Sequence, residues 1–410
     1  MSWTPTDAMD WSTRALAGRS MTAPRPSVLV IGAGSTGAAT AHDLALRGCA
    51  VVVVERGEIA SGTTGRNHGL LHSGARYAVK DAESAVECVV ERDILARIAP
   101  DLLELNGGLF VALNEDDLAY RERFLDACAR CGIPTRELTL AQVRDLEPAL
   151  SSSCLAAVEV PDGVFDSLHL CLAFLATAES NDATVLPYRE VEALVIRASS
   201  VEGAIVRDRR TGERVTLEAD IVVNATGPWA DRIAALAGVD VPVAPTAGVM
   251  VAVNGRYVDR VINRMAPPGD GDIVLPQRRT VVIGTSSWSV ADPDAIAIPA
   301  EHVALMLERG RALVPRLQEG QTRAVFAAAR PLVGRVGGAE AGRELSRTFQ
   351  CFDHAADGVD GFVTIIGGKT TTARAMAEKV SDVVCAKLGV TAACTTRMVP
   401  LRSYRTAYDA

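Results

Sequence analysis

Hydrophobic positions are most regularly spaced near the start of the chain. Val28 to Ile31 is a short unbroken apolar run, the pattern of a strand buried on both faces. After a glycine-rich break, Ala38 to Arg47 predicts a helix that Gly48 ends, and Ala50 to Val54 predicts a second buried strand closed by Glu55. Val86, Val89, Val90, Ile94 and Ile98 recur at helical spacing and predict a helix over 81–99 with Glu and Arg on its outer face. Gly108–Leu113 reads as a strand, Leu118–Cys131 as a helix ended by Gly132, and Leu140–Leu146 as a short helix stopped near Pro148. Asp166 is placed to cap a helix that runs through Ala178. Val191–Ile196, Gly203–Arg207 and Val215–Leu217 alternate as a small antiparallel meander. Ile221–Asn224 is another buried strand, and it runs into Ala225-Thr226-Gly227-Pro228 and then a helix.

From Val243 to about Thr322 the pattern changes. Strands at 248–253, 273–275 and 281–283 are separated by Gly- and Pro-rich turns, and a helix follows at 300–314. The chain then returns through Arg330-Pro331 to strands near 346–352 and 362–366, and a long helix opens at Gly367-Gly368 and runs to Leu388. The expected architecture is α/β, an α+β composite in which a Rossmann-like dinucleotide-binding domain carries an inserted β-rich cap. Residues 25–99, 150–242 and 323–400 are assigned to the nucleotide domain, and 100–149 and 243–322 to the cap. Residues 1–24 form a polar leader in which Met21 is an alternative start, and 401–410 a tail.

Gly32, Gly34 and Gly37 have G-x-G-x-x-G spacing between a strand and a helix, a context that gives each a job. Gly32 permits the tight turn, Gly34 lets backbone approach a pyrophosphate, and Gly37 lets the helix pack on the strand. Ser35 and Thr36 open the helix whose free N–H groups favour an anion. Glu55, 18 residues after Gly37, is placed to bind a ribose. The loop 58–77, EIASGTTGRNHGLLHSGARY, is too polar for a core segment and dense in basic and imidazole groups. Gly367-Gly368-Lys369, followed by three threonines at a helix start, is a further anion site.

Composition removes other classes. The 410 residues are 48% hydrophobic with a net charge of -8 and no basic block, which argues against disorder and against nucleic-acid binding. No apolar run approaches the ~20 residues of a membrane span. Nine scattered cysteines suggest reduced, buried thiols in a cytoplasmic chain. The single CxxC, Cys128 to Cys131, has no second pair, and no metal site is expected.

A nucleotide motif at one end, an Ala-Thr-Gly junction midway and a Gly-Gly-Lys helix near the other end suggest one large cofactor held by the whole chain, which favours FAD over NAD. The chain resembles the D-amino-acid-oxidase-type flavoproteins, which share a glutathione-reductase-like nucleotide domain. Within them it is similar to FAD-dependent glycerol-3-phosphate dehydrogenases, most closely the catalytic subunit of the anaerobic type. The residues that carry the likeness are TGRNHGLLHSGARYAVKDAESAVEC (64–88), VPDGVFD (160–166), RPLV (330–333) and DGFVTIIGGKTTTARAMAE (360–378), supported by VINRMAPPGDGDIVLP (261–276) and ACTTR (393–397).

The resemblance implies oxidation of C2 of sn-glycerol 3-phosphate by hydride transfer to flavin N5. Arg76, Tyr77, Arg330, Arg347 and Lys369 are the candidate groups for the anionic substrate. His72, Arg330 and Lys369 are the candidate catalytic residues, with His72 as proton acceptor because an ordinary imidazole exchanges protons near neutrality. Candidate FAD contacts are Gly32, Gly34, Ser35, Thr36, Gly37, Glu55 and Arg56, then Thr63, Thr64, Arg66, Asn67, His68, Gly69 and Leu71 in the loop. Val191, Ala225, Thr226, Gly227, Arg330, Gly367, Gly368, Lys369 and Thr370 complete the set.

The FAD is expected to be non-covalent, since no Cys or His stands out as an attachment point. Three departures from the family pattern bear on function. Ala247-Gly248-Val249 stands where close relatives have Lys-Gly-Ser, and Ala373 replaces an aromatic ring. The sequence also lacks the cysteine-rich continuation of the anaerobic type, so no iron–sulfur cluster is expected in this chain. Electrons then leave through a partner iron–sulfur or membrane-anchor subunit, which would make the protein peripheral at the inner membrane, through a diffusible acceptor such as a quinone, or to oxygen. Oxidation of a 2-hydroxy acid or an amine, and a flavin relay subunit within a hetero-oligomer, are the other readings.

Overall fold

A computed structural model describes residues 25–334 and 345–408; the predicted leader lies outside these residues. The first parallel strand, Ser27–Ile31, sits between Ala50–Glu55 and Ile221–Asn224, with Val28 level with both Val51 and Ile221. The six-stranded sheet runs Phe349–Asp353, Phe362–Gly367, Ile221–Asn224, Ser27–Ile31, Ala50–Glu55, Thr184–Pro187, and only the Phe349–Asp353 edge is antiparallel. Alternation along the first strand sets its two packing layers. Val28 and Val30 face a layer of three helices, Ser35–Leu46, Ser167–Glu179 and Ala373–Leu388. Leu29 and Ile31 face the antiparallel meander, Arg189–Arg197, Ser200–Asp208 and Arg214–Glu218, together with the helix Ala230–Ala235.

The helix Ser35–Leu46 lies between the other two of its layer and is buried almost all round. Its sequence, STGAATAHDLAL, accordingly offers small residues on every face. It begins at Ser35, three residues earlier than the apolar pattern suggests, because Gly34 already serves as the N-cap. The predicted helix from Leu118 likewise starts at Glu115, where the Asn114 side chain accepts from the Asp117 N–H. Asp166 accepts from the N–H groups of both Leu168 and His169, as the sequence led us to expect. Beyond residue 400 the chain returns to the helix layer, where the Tyr408 hydroxyl donates to Glu179 at 2.8 Å.

The cap is a nine-stranded sheet. Its order is Trp288–Ser289, Val243–Asn254, Thr280–Gly284, Ile273–Gln277, Val261–Arg264, Gly108–Ala112, Ala156–Val160, Arg136–Leu138, with Thr322–Val333 paired along the other side of Val243–Asn254. Helix Ala300–Leu313 covers one face. A Cβ at Gly310 would lie 2.7 Å from Ile283, so glycine sets that close approach. Two strands differ from the sequence-based division of the chain. Ala156–Val160 and Thr322–Val333 were expected in the nucleotide domain, yet both belong to the cap sheet. The second of these is 12 residues long and rich in alanine, with no strand pattern of its own, and it is held by a ladder from Val243 opposite Val333 to Val253 opposite Thr322. Among the described residues no helix is long and apolar enough to cross a membrane.

Candidate active site

The carboxyl ends of the parallel strands open into a cavity of about 1230 Å³ that runs on beneath the cap sheet. Ligands in open α/β sheets bind at this edge, where loops and helix N-termini converge. Gly32 takes φ +102°, and a Cβ there would lie 2.8 Å from the Ala225 carbonyl oxygen. A Cβ at Gly37 would lie 1.8 Å from the Gly32 carbonyl oxygen, so the helix can approach the turn only through glycine. The helix that follows has neither a side-chain cap nor an acidic residue in its first turn. Thr64 Oγ1 accepts from the Ser35 N–H at 3.0 Å. An uncapped N-terminus with positive helix-end potential, opening on a large cavity, fits the pyrophosphate of a dinucleotide. The Glu55 carboxylate accepts from the Ala33 N–H at 3.0 Å and the Gly57 N–H at 2.8 Å, which fixes it at the cavity wall.

Most of the predicted contacts line this one cavity. Gly32, Gly34, Ser35, Thr36, Glu55, Arg56, Thr63, Thr64, Arg66, Asn67, His68, Val191, Ala225, Thr226, Gly227, Gly367, Gly368 and Thr370 do so, as do His72, Arg76, Tyr77, Arg330, Arg347 and Lys369. Gly37, Gly69 and Leu71 do not. Gly37 acts through packing, and Gly69 (φ +79°) lies against Gln277 and the Phe165 carbonyl. Leu71 is in the core. Asn67 braces its own loop, donating to Thr64 O at 2.7 Å and accepting from the Gly69 N–H at 2.7 Å. Arg56 reaches across to the cap. It pairs with Asp294 at 2.5 Å and lies 4.4 Å over the Trp229 ring, while Arg232 binds Asp294 at 2.8 Å and Asp292 at 2.7 Å.

The other end of the cavity is cationic and holds two imidazoles. His72 is 7% exposed, with Nε2 3.5 Å from the Tyr77 hydroxyl. Burial, then the neighbouring His68, Lys369 and Arg76, press its pKa well below the ordinary 6.5, so the ring is neutral and able to accept a proton. His68 is held to about 3, again chiefly by burial, and its Nδ1 accepts from the Leu70 N–H. Lys369 donates to Ser84 Oγ and to Arg347 O, and its Nζ lies 4.6 Å from the Tyr77 ring centroid. Arg76 is tied to Asp272 at 2.7 Å and to Gly269 O at 3.2 Å.

Arg330 is different. It stands opposite Thr246 on the long ladder and donates to Thr285 Oγ1, Ser286 O, Ala247 O, Thr246 O and Ser287 Oγ, none of them a carboxylate. Burial, then the charge of Arg347, lower its pKa from the ordinary value. An anion placed here would relieve both effects.

Sequence reasoning missed Asp272, Thr285 and Ser286, and also Glu87. Burial raises the Glu87 carboxyl to about 7, against the pull of Lys369, and one of its oxygens has no hydrogen-bond partner among the described residues. Asp272 lies in the quoted PPGDGD stretch, but nothing local ties it to Arg76, 196 residues away. The CxxC cysteines are both buried, with Cys131 Sγ directed at the carbonyls of Ala78 and Ala82.

A glycine-cradled helix N-terminus, an acidic residue closing the second strand and a reaction end under a β-cap define a dinucleotide-dependent oxidoreductase of the flavoprotein type. Residues 27–374 match the family model for FAD-dependent oxidoreductases, the DAO family, and the chain belongs to that family. It is 44% identical over 387 residues to the A1 chain of the anaerobic glycerol-3-phosphate dehydrogenase of Haloferax volcanii, covering 92% of this chain and 66% of that one. It is 43% identical over 372 residues to the corresponding chain of the anaerobic glycerol-3-phosphate dehydrogenase of Escherichia coli, covering 90% and 68%. The chain thus spans about two thirds of the length of these relatives. A crystal structure of the Bacillus halodurans glycerol-3-phosphate dehydrogenase complexed with FAD superposes with a TM-score of 0.73 at 25% identity, over 93% of this chain and 68% of the other.

Proposed function

We infer that the protein oxidises the C2 hydroxyl of sn-glycerol 3-phosphate, or of a close polyol phosphate, to the ketone, with FAD bound non-covalently. The observation that carries this reading is the meeting, in one cavity, of a neutral buried imidazole at His72 with Arg330, a cation whose hydrogen bonds among the described residues include no carboxylate. FAD would be held by the Gly32–Gly37 turn, the helix N-terminus, Glu55 and the Gly367–Thr370 segment, and when bound it supplies a two-electron acceptor for the C2 hydrogen.

The protein supplies the rest. Arg330, with Arg347 and Lys369 nearby, holds the phosphate, since a guanidinium fork makes two parallel charged bonds to a phosphate edge. Arg76 is held by Asp272 and so presents a fixed donor set. His72 takes the C2 hydroxyl proton as the ketone forms, and Tyr77 keeps the imidazole in place. The cap sheet, with Ala156–Val160 and Thr322–Val333 among its strands, excludes water and carries the anion-binding edge at Arg330, and the nucleotide domain holds FAD. Electrons pass on to a partner subunit or a diffusible acceptor. We place the protein in the cytoplasm, at the membrane only through such a partner.

Anaerobic titration with sn-glycerol 3-phosphate should bleach the flavin band with one equivalent per flavin. Bleaching by 2-hydroxy acids or amines alone would replace the substrate reading. A protein that cannot be reconstituted with FAD would end it. Acid precipitation should release free flavin into the supernatant.

A further inference from the structure

We propose that His302, outside the cavity on the cap helix Ala300–Leu313, is a positioning residue for the anion-binding arginine and acts through Ser286. The inference rests on the reading of Arg330 as the anion site.

The path is short. His302 Nδ1 lies 3.0 Å from Ser286 Oγ. That hydroxyl also accepts from the Val249 N–H at 3.2 Å, so Ser286, 1% exposed, is clamped from two sides. The carbonyl oxygen of the same residue accepts from Arg330 Nη2 at 2.7 Å, and Thr285 Oγ1, also bound by Arg330, donates to that oxygen at 2.7 Å. Trp288 meets the His302 ring edge-to-face at 4.9 Å and fixes its plane. Among the described residues no carboxylate hydrogen-bonds the arginine. Its direction is set by carbonyl and hydroxyl oxygens, and the corner 284–288 that supplies three of them is held to the cap body through Ser286 Oγ.

The strand segment facing this corner, Ala247-Gly248-Val249, carries no charged or hydroxyl side chain of its own. The hydroxyls come instead from the facing corner, Thr285, Ser286 and Ser287, and the guanidinium lies over Gly248, where a Cβ would sit 2.2 Å from Nη2. Anion specificity then depends on how firmly that corner is held, and His302 is its tether.

The test uses holoprotein and inorganic phosphate as the probe, with binding read from the perturbation of the flavin band, in wild type, His302→Ala, His302→Asn and Ser286→Ala. Asn can place an oxygen or an amide near the position of Nδ1. We expect His302→Ala and Ser286→Ala each to weaken phosphate by about five- to tenfold, the loss of about one hydrogen bond, and His302→Asn to recover most of it. Flavin content should not move, and melting temperature should fall by no more than a few degrees, the loss of about one buried hydrogen bond.

A second arm measures anaerobic reduction by sn-glycerol 3-phosphate, where KM should rise with phosphate affinity while kcat stays within about twofold. Unchanged phosphate affinity in a folded, yellow His302→Ala protein overturns the proposal, as does a wild type that binds no phosphate, or an Asn variant no better than Ala. Were His302→Ala to fail to fold, Ser286→Ala against wild type decides it alone. A wild type that binds phosphate but is not reduced by sn-glycerol 3-phosphate sinks the substrate assignment and leaves the tether standing.

Discussion

One methyl group at Gly248 tests the reaction end most sharply. Gly248 has ordinary backbone angles, so Gly248→Ala introduces no left-handed strain and only fills space. The new Cβ would lie 2.2 Å from Arg330 Nη2, 2.5 Å from Thr285 Oγ1 and 2.7 Å from Ser286 O. Ordinary contact needs about 3.4 Å. The ladder flanking Gly248 is rigid, so the guanidinium, the far end of a flexible side chain, gives way by roughly 1 Å and the corner at Thr285 and Ser286 shifts with it. Misplacing a binding group by about 1 Å costs about 100-fold in rate, which corresponds to about 2.7 kcal/mol. The assay is anaerobic stopped-flow reduction of the bound flavin, with flavin content and thermal unfolding as controls. The variant should stay yellow and folded yet lose about two orders of magnitude in the limiting second-order rate constant. A folded, flavin-loaded Gly248→Ala enzyme within about threefold of wild type would refute both the placement of Arg330 and its role.

Three further outcomes follow from the geometry. His72→Asn should slow flavin reduction by about 10²–10⁴-fold, and because burial lowers the wild-type His72 pKa, the wild-type rate should be flat above about pH 6.5 and fall only in acid; a wild-type rate that climbs through pH 7–8 would exclude His72 as the base. His42 is buried against Phe174, with its pKa lowered to about 4 by burial and then by Arg374, and neither ring nitrogen has a partner among the described residues. The unfolded chain takes up that proton more readily, so stability is complete above about pH 6.5 and falls by about 3 kcal/mol as the pH drops toward 4; His42→Leu should shrink the acid-induced loss seen in urea unfolding by that amount, and an unchanged loss would contradict it. Arg374→Met strands the 2%-exposed Glu91 carboxylate, held at 2.6 Å, and should cost about 3–5 kcal/mol, partly restored by Glu91→Gln; a melting point indistinguishable from wild type would count against the pair.

The nucleotide end was legible because its instructions are local. Gly32, Gly34 and Gly37 act on neighbours within a few residues, and the Val-rich runs at 28–31 and 50–54 need only each other to pair. The long strand Thr322–Val333 was not legible. Its Ala327-Ala328-Ala329 has no strand preference, and only the partner ladder about 80 residues earlier makes it extended. The site divides in the same way. Arg76, Arg330 and Lys369 could be picked out by type and by family likeness, but what each one touches could not. Asp272, Ser286 and His302 reach them through tertiary contacts that leave no periodicity or spacing in the chain, and Arg374 is held by Glu91, 283 residues away.

The contact of Arg56 and Arg232 with Asp292 and Asp294 gives the two ends of the cavity different sensitivities. The four charged side chains are each 37–50% exposed, so each pair is worth under about 1 kcal/mol. The screening length shrinks from about 10 Å at 0.1 M salt to about 3 Å at 1 M. The Arg330 end is held by hydrogen bonds to buried carbonyls and hydroxyls, which salt screening weakens far less than exposed ion pairs. The nucleotide end is fastened by ions that salt loosens, so cofactor exchange should proceed from the nucleotide end and quicken with ionic strength, read as the rate of flavin release at about 0.1 M and about 1 M salt, and a salt-independent release rate would count against it.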